Sequence, residues 1–208
     1  MCNHRDENGL RPLHWAAEHG HVAIAKIIQN YTVTGSINEC DDDGYSAMHH
    51  AAANNHLSMV EYLISVCANV NHVCDYGDGR YGPSSLHVAV ARGHLEMVKL
   101  LVRLGADVDC NNSDYRMIFG DTPLAWAVKH NQRHVVVYLI DSGCDMDKAD
   151  NDGNTPLHKA GYLGFVGIVE LLVTRGAKVN IMNCRRENVL EIVRRVGCQE
   201  ANSYLAGS

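Results

Sequence analysis

The chain has no run of apolar residues approaching the roughly 18 needed to cross a bilayer. Its densest apolar stretch, Val135 to Ile140, is far shorter. The opening MCNHRDENG has no apolar core and does not read as a secretory signal. There is no C-x-x-C pair, no G-x-S-x-G, no H-E-x-x-H and no G-K-[ST]. The common nucleophile elbow, zinc-protease and P-loop chemistries therefore have no foothold. Basic excess is also lacking: the formal net charge is −6. That balance argues against nonspecific binding to nucleic-acid phosphates.

What is present is a repeat. In DNDGNTPLHKAGYLGFVGIVELLVTRGAKVN, Asp150 to Asn180, Thr155 can cap a helix whose first residue is Pro156. Gly164 can end that helix in the left-handed region. Val166 to Val173 makes a second, more apolar helix ended by Gly176, and Ala177 to Asn180 runs on extended. Such a helix pair is too short to bury its own apolar surface and requires neighbours. They occur at His14, His49, His87, Ala125 and His158, spaced 35, 38, 38 and 33 residues apart. Six residues after each stands Gly20, Asn55, Gly93, Asn131 or Gly164, the residue types that enter the left-handed region at low cost. A second column pairs apolar residues: Ile27-Ile28, Tyr62-Leu63, Leu100-Leu101, Tyr138-Leu139 and Leu171-Leu172. Each unit closes on Asn38, Asn71, Asp109, Asp147 or Asn180.

A period near 33 with T-P-L-H-x-A resembles the ankyrin-repeat family. The residues carrying the resemblance are TPLHKA at 155–160, RPLHWA at 11–16 and GHLEMVKLLVRLGADVD at 93–109. It covers roughly residues 6 to 196. The resemblance implies an all-α fold, a solenoid of stacked helix-turn-helix units with β-hairpin fingers between them. The expected repeats are about 6–38, 41–71, 79–109, 117–147 and 150–180. A partial capping repeat at 183–205 has a first helix, Glu187 to Val193, and no full apolar second helix. Little chain precedes Asp6 to serve as a cap, so the first repeat either caps itself or is cut from a longer protein.

Eight cysteines without close pairing read as free thiols in a reducing compartment, cytoplasmic or nuclear. The sequons at Asn30 and Asn111 are then chance matches. Residues 1–78 hold three Lys/Arg against ten Asp/Glu, a balance of −7 that leaves +1 for the rest. The acidic end either keeps a terminal repeat soluble or steers a basic partner.

Several motifs invite chemistry and lack its context. Gly77 to Gly82 matches G-x-G-x-x-G literally, but a polar finger precedes it instead of a buried strand. Asp41-Asp42-Asp43-Gly44 and Asp150-Asn151-Asp152-Gly153 lack the alternation and the closing Glu of a calcium loop, and read as repeat-opening turns. Among thirteen histidines, seven fall in repeat columns, where the resemblance implies loop-orienting hydrogen bonds. None of the others pairs with cysteine at zinc-finger spacing. Trp15 and Trp126 share one first-helix position and read as packing residues. No catalytic, cofactor or metal residue is expected.

The departures from the period mark a candidate surface. Five extra residues precede each of the third and fourth repeats, giving long fingers at 72–78 and 110–116 and their flanks. They carry Tyr76, Arg80 and Tyr81, and Tyr115, Arg116, Met117, Ile118 and Phe119, types enriched in interface cores. At least one of the last three is expected to fold back and close the core, which leaves Tyr76, Tyr81, Tyr115 and Arg116 as the cleaner contact residues. The resemblance adds the exposed first-helix positions Glu18, His19, Ala53, Asn54, Ala91, Arg92, Lys129, His130, Tyr162 and Leu163. Arg92, Lys129 and His130 favour a partner with acidic character. The function expected is a monomeric protein-interaction module, without nucleic acid or membrane insertion. The alternative is a regulatory or substrate-recruiting domain of a larger enzyme, channel or ubiquitin-ligase adaptor. The resemblance further implies Asn hydroxylation where a Leu lies eight residues upstream, as at Asn71 and Asn180; the alternative is that these residues brace the loop.

Overall fold

The structure, a computed structural model, describes residues 4–31, 36–74, 82–111 and 120–207. It comprises two compact units. One is built from residues up to Asp107, the other mainly from Met117 onward together with Val108–Asn111.

The first unit holds three helix pairs: α1 (Pro12–Glu18) with α2 (Val22–Tyr31), α3 (Ala47–Ala53) with α4 (Leu57–Ser65), and α5 (Ser85–Ala91) with α6 (Leu95–Arg103). Helix α1 packs on α3 and α3 on α5, while each leading helix also packs on its own second helix. The second unit repeats the plan with α7 (Pro123–Lys129) and α8 (Arg133–Asp141), α9 (Pro156–Leu163) and α10 (Val166–Thr174), and α11 (Val189–Val196) and α12 (Gln199–Gly207). There α7 packs on α9 and α9 on α11.

Local chemistry explains where these helices start and stop. Thr122 Oγ1 accepts a bond from the Ala125 backbone N–H at 3.2 Å, and Pro stands in the first turn of α1, α7 and α9. Gly164 ends α9 at φ +69°, and Asn55 and Asn131 occupy the same column at +58° and +54°. The buried histidine of the leading helix does two jobs. Nδ1 of His49 accepts the Ser46 backbone N–H at 3.1 Å, and its Nε2–H donates to the Pro83 carbonyl of the following repeat at 2.8 Å. His14 and His158 repeat this arrangement, reaching Glu39 and Ile181. In the other column, Nε2 of His56 and of His94 donates back to the Glu18 and Ala53 carbonyls.

The core lies between the helix layers. Leu63, Leu101, Leu139 and Leu172, the second members of the apolar doublets, are fully buried. Small residues on the leading helices let neighbouring backbones approach. A Cβ on Gly161 would stand 2.9 Å from Val189 Cγ2, so α9 and α11 meet at contact distance. The opening aspartates close turns: Oδ1 of Asp41 accepts from the Asp43 and Tyr45 N–H groups, and Oδ1 of Asp150 from those of Asp152 and Asn154. The closing column links repeats. Asn71 Oδ1 accepts the Asp107 N–H at 2.8 Å, Asp109 that of Asp145 at 2.9 Å, and Asp147 that of Lys178 at 2.9 Å.

Four expectations are corrected. No strand occurs among the described residues; the hairpin fingers reduce there to turns and one isolated bridge, Cys40 to Ser46. A second helix does follow α11. Its weak amphipathicity hid it, but Ala201 and Leu205, one turn apart, are buried as α12 packs on α10 and α11. Trp126 is buried, whereas Trp15 is 47% exposed. Trp15 lies in the first helix pair, where its ring stacks on His19 and its Nε1–H donates to Asp6. The cysteines are not all free: Cys40 and Cys74 form a disulfide with their Cα atoms 6.2 Å apart.

Candidate functional site

Tyr76, Arg80, Tyr81, Tyr115, Arg116, Met117, Ile118 and Phe119 lie outside the described residues, as does most of the G-x-G-x-x-G stretch. Of the remaining candidates, Arg92 caps the C-terminal end of α5 in the first unit and is exposed. Lys129 and His130 end α7 in the second unit. Asn71 and Asn180 are both exposed; Asn71 is engaged with the following repeat, its Nδ2 donating to Gly105 at 3.0 Å.

The second unit carries the more developed surface. A cleft of about 380 Å3 runs beside α9 and α11, lined among others by Lys129, Lys159, Tyr162, Leu163, Glu187 and Arg195. Tyr162 is 58% exposed and Leu163 40%, at the last two positions of α9. The left-handed Gly164 turns the chain directly after them, so both side chains stay at the rim. Folding of this unit gains little from two large apolar groups left in water.

Beneath the rim is a charge network. Asp121, with no exposed surface, pairs with Lys129 Nζ at 3.0 Å and Lys159 Nζ at 2.8 Å. Lys159 also reaches Asp150 Oδ2 at 2.5 Å. Burial works against the charge on Lys159, but Asp121 and Asp150 outweigh it and raise its pKa above the ordinary lysine range. Lys129, expected as a cation offered to a partner, is thus committed to Asp121. The reason is that the Lys129 side chain reaches back along α7 to the buried carboxylate eight residues earlier, which lysine spacing alone did not reveal. His130 stays exposed, 6.3 Å from the Trp126 ring, and burial followed by the Lys129 charge lowers its pKa. At the far wall, Arg195 Nε donates to Glu187 at 2.7 Å, and this bond holds the Glu187 carboxyl below its usual range. Arg185 is exposed on the same wall. The cleft residues from 185 to 195 went unread in the sequence because they sit in the degenerate last repeat; the arginine run was their one signal.

In the first unit, Cys40, His72 and Cys74 bring their side-chain donor atoms together, all within 4.8 Å of one another. Cys40 Sγ lies 3.4 Å from His72 Nε2. Local spacing concealed this cluster. The available signal was the 34-residue separation of the two cysteines, one repeat length, which puts them at like positions of adjacent turns. Among the described residues, Cys144 is a buried thiol whose pKa burial, then Asp109 and Asp145, push up to about 12, leaving it inert as a nucleophile.

No described helix is long and apolar enough to cross a membrane. The family model for ankyrin repeats (3 copies) matches the chain over residues 1–74, 34–114 and 86–183. None of the curated proteins compared with the chain matches it.

Proposed function

The chain belongs to the ankyrin-repeat family, and from that premise we propose that it holds a protein partner on the ends of its leading helices and on the two long fingers. Repeats of this family generally serve as protein-interaction modules. The observation that carries the reading is the exposed Tyr162–Leu163 pair on the cleft rim. A tyrosine presents rigid apolar area with a polar tip, the type of residue that dominates interface energetics. Burying a Leu-sized side chain against a partner is worth about 1.5–3 kcal/mol. Below the rim, the Asp121–Lys159–Asp150 network holds α7 and α9 in register, so the rim is a preorganised surface. Arg92 in the first unit and Arg185 in the second favour a partner with acidic character, while His130, its pKa lowered by burial and Lys129, offers a neutral polar contact.

The chemistry of the cleft supports binding over catalysis. Among the described residues of the cleft, Lys159 is paired with Asp150 and Arg195 with Glu187, and His158 is buried and committed to the Thr155 and Ile181 backbone. The test is quantitative capture from a cell lysate with the parent chain and with Tyr162→Ala/Leu163→Ala. A partner enriched by the parent and depleted at least tenfold by a variant with unchanged melting supports the reading. Equal capture of every partner by both proteins overturns the rim as the contact.

A further inference from the structure

The Cys40–His72–Cys74 cluster carries an inference separate from partner binding. A disulfide needs two sulfurs; this site also brings an imidazole nitrogen to them. Two thiolates and an imidazole are the donor set of zinc, and too soft for calcium or magnesium.

The geometry is specific. In a tetrahedral zinc site, bonds of about 2.3 Å to sulfur and 2.0–2.1 Å to nitrogen put the two donor atoms about 3.5 Å apart. Cys40 Sγ and His72 Nε2 are 3.4 Å apart. Cys40 is placed by its bridge to Ser46 and by the Asp41 turn directly after it, where the Asp41 N–H donates to the Tyr45 carbonyl at 3.0 Å. His72 follows the Asn69 turn, its N–H donating to the Asn69 carbonyl at 3.0 Å, and the Cys74 carbonyl accepts the Gly82 N–H at 2.9 Å. Each ligand thus sits on backbone fixed by its own repeat. Cys74 is buried at 4% exposure, while Cys40 and His72 are half-buried, so the site is sheltered yet open on one side.

We propose that, when reduced, Cys40, His72 and Cys74 form a zinc site with three protein ligands and a fourth position open to solvent. The disulfide and the metal site are alternative states of the same sulfurs. Reduction adds two electrons and two protons to the Cys40–Cys74 bond and yields two thiols. Zinc binding then breaks both S–H bonds, forms two Zn–S bonds and one Zn–N bond, and releases the two protons to solvent. In the test a phosphine is the reductant; it cleaves the disulfide with water and leaves as the phosphine oxide.

The experiment uses the whole chain, reduced with a phosphine and stripped of metal. Titration with Zn2+ should show one tight site, and Co2+ in its place should give a thiolate-to-metal charge-transfer band with tetrahedral d–d absorption. Cys40→Ser, Cys74→Ser and His72→Ala should each weaken zinc by about 100-fold or more. Cys67→Ser, at an exposed thiol outside the cluster, should leave it unchanged. In parent protein, Zn2+ should slow alkylation of Cys40 and Cys74 by at least tenfold, with no such change at Cys67. This measurement needs no variant and stands even if a substitution unfolds the chain. The proposal is overturned if the reduced parent shows no thiolate–cobalt band, or if zinc leaves alkylation of Cys40 and Cys74 unchanged. It is equally overturned if all three ligand variants bind zinc as the parent does; the pair is then a disulfide alone.

Discussion

Acidification should destabilise this protein well above the pH at which its carboxylates titrate, and His49 is where the effect is largest. Its ring is fully buried, with Nδ1 accepting from the Ser46 N–H and Nε2–H donating to Pro83. The Nδ1 bond needs the neutral ring, and burial, outweighing the Pro83 bond that favours the charged form, pulls the pKa from 6.5 to about 3. As pH falls through 6.5 the unfolded chain takes up a proton at this position and the folded chain does not. Stability is therefore fully present above pH 6.5 and declines below it, until the folded ring itself titrates near 3. Between pH 7 and pH 5 the loss from His49 alone is about 2 kcal/mol. For a chain of this size that corresponds to about 4–8 °C in melting temperature. His14 and His158, also lowered chiefly by burial, add in the same direction. The buried Asp41 titrates below this window, because burial is outweighed by its bonds to His50 and Tyr45 and its pKa is lowered. The assay is urea unfolding at intervals from pH 8 to 5 for the parent and His49→Gln, whose amide does not titrate. The variant should start less stable and lose about 2 kcal/mol less across the range. Parallel profiles for the two proteins, or an NMR titration of the His49 ring with a midpoint near 6.5, would refute the reasoning.

Three further outcomes are expected. Reduction in the absence of metal opens a disulfide of sequence separation 34 and should cost about 3–4 kcal/mol by chain entropy; a melting curve indifferent to reductant would show the pair to be a dithiol in solution. Tyr81→Ala/Tyr115→Ala should melt like the parent and bind its partner weaker by about 2 kcal/mol or more; unchanged affinity would move the contact from the long fingers to the acidic first repeats or the α9 rim. Co-expression with an asparaginyl hydroxylase should add one oxygen at Asn180, and less at Asn71 because its Oδ1 and Nδ2 bond Asp107 and Gly105; mass spectrometry finding neither peptide shifted rejects both sites.

The repeat was legible because its rules are local. Thr155, Pro156, His158 and Gly164 declare a helix start and stop within ten residues, and the structure uses each as its chemistry suggests. The apolar doublets were legible for the same reason, and only at the first of them does the structure leave Ile27 59% exposed. What escaped depends on contacts or patterns that no short local motif announces. Lys129 read as an exposed cation until Asp121, eight residues earlier, proved buried beneath it. Cys40 and Cys74 showed nothing locally; only counting by the repeat length aligns them. Helix α12 escaped because Ala201 and Leu205 are its only buried apolar residues, too thin a pattern to separate from a loop.

Beside side-chain pairs such as Lys159 with Asp121, many links between neighbouring helix pairs share one form: a side chain on one repeat meets a main-chain group on another. His49 finds the Pro83 carbonyl, His158 the Ile181 carbonyl, and Asn71 the Asp107 amide. Every residue offers a carbonyl, and nearly every one an amide, so the receiving repeat is recognised by where its backbone lies and not by which side chains it carries. An adjacent unit can thus drift in sequence, or be copied and inserted, without a matching change in its neighbour. Inheritance in such an array acts on spacing, which leaves the outward-facing residues free to be selected for whatever they touch.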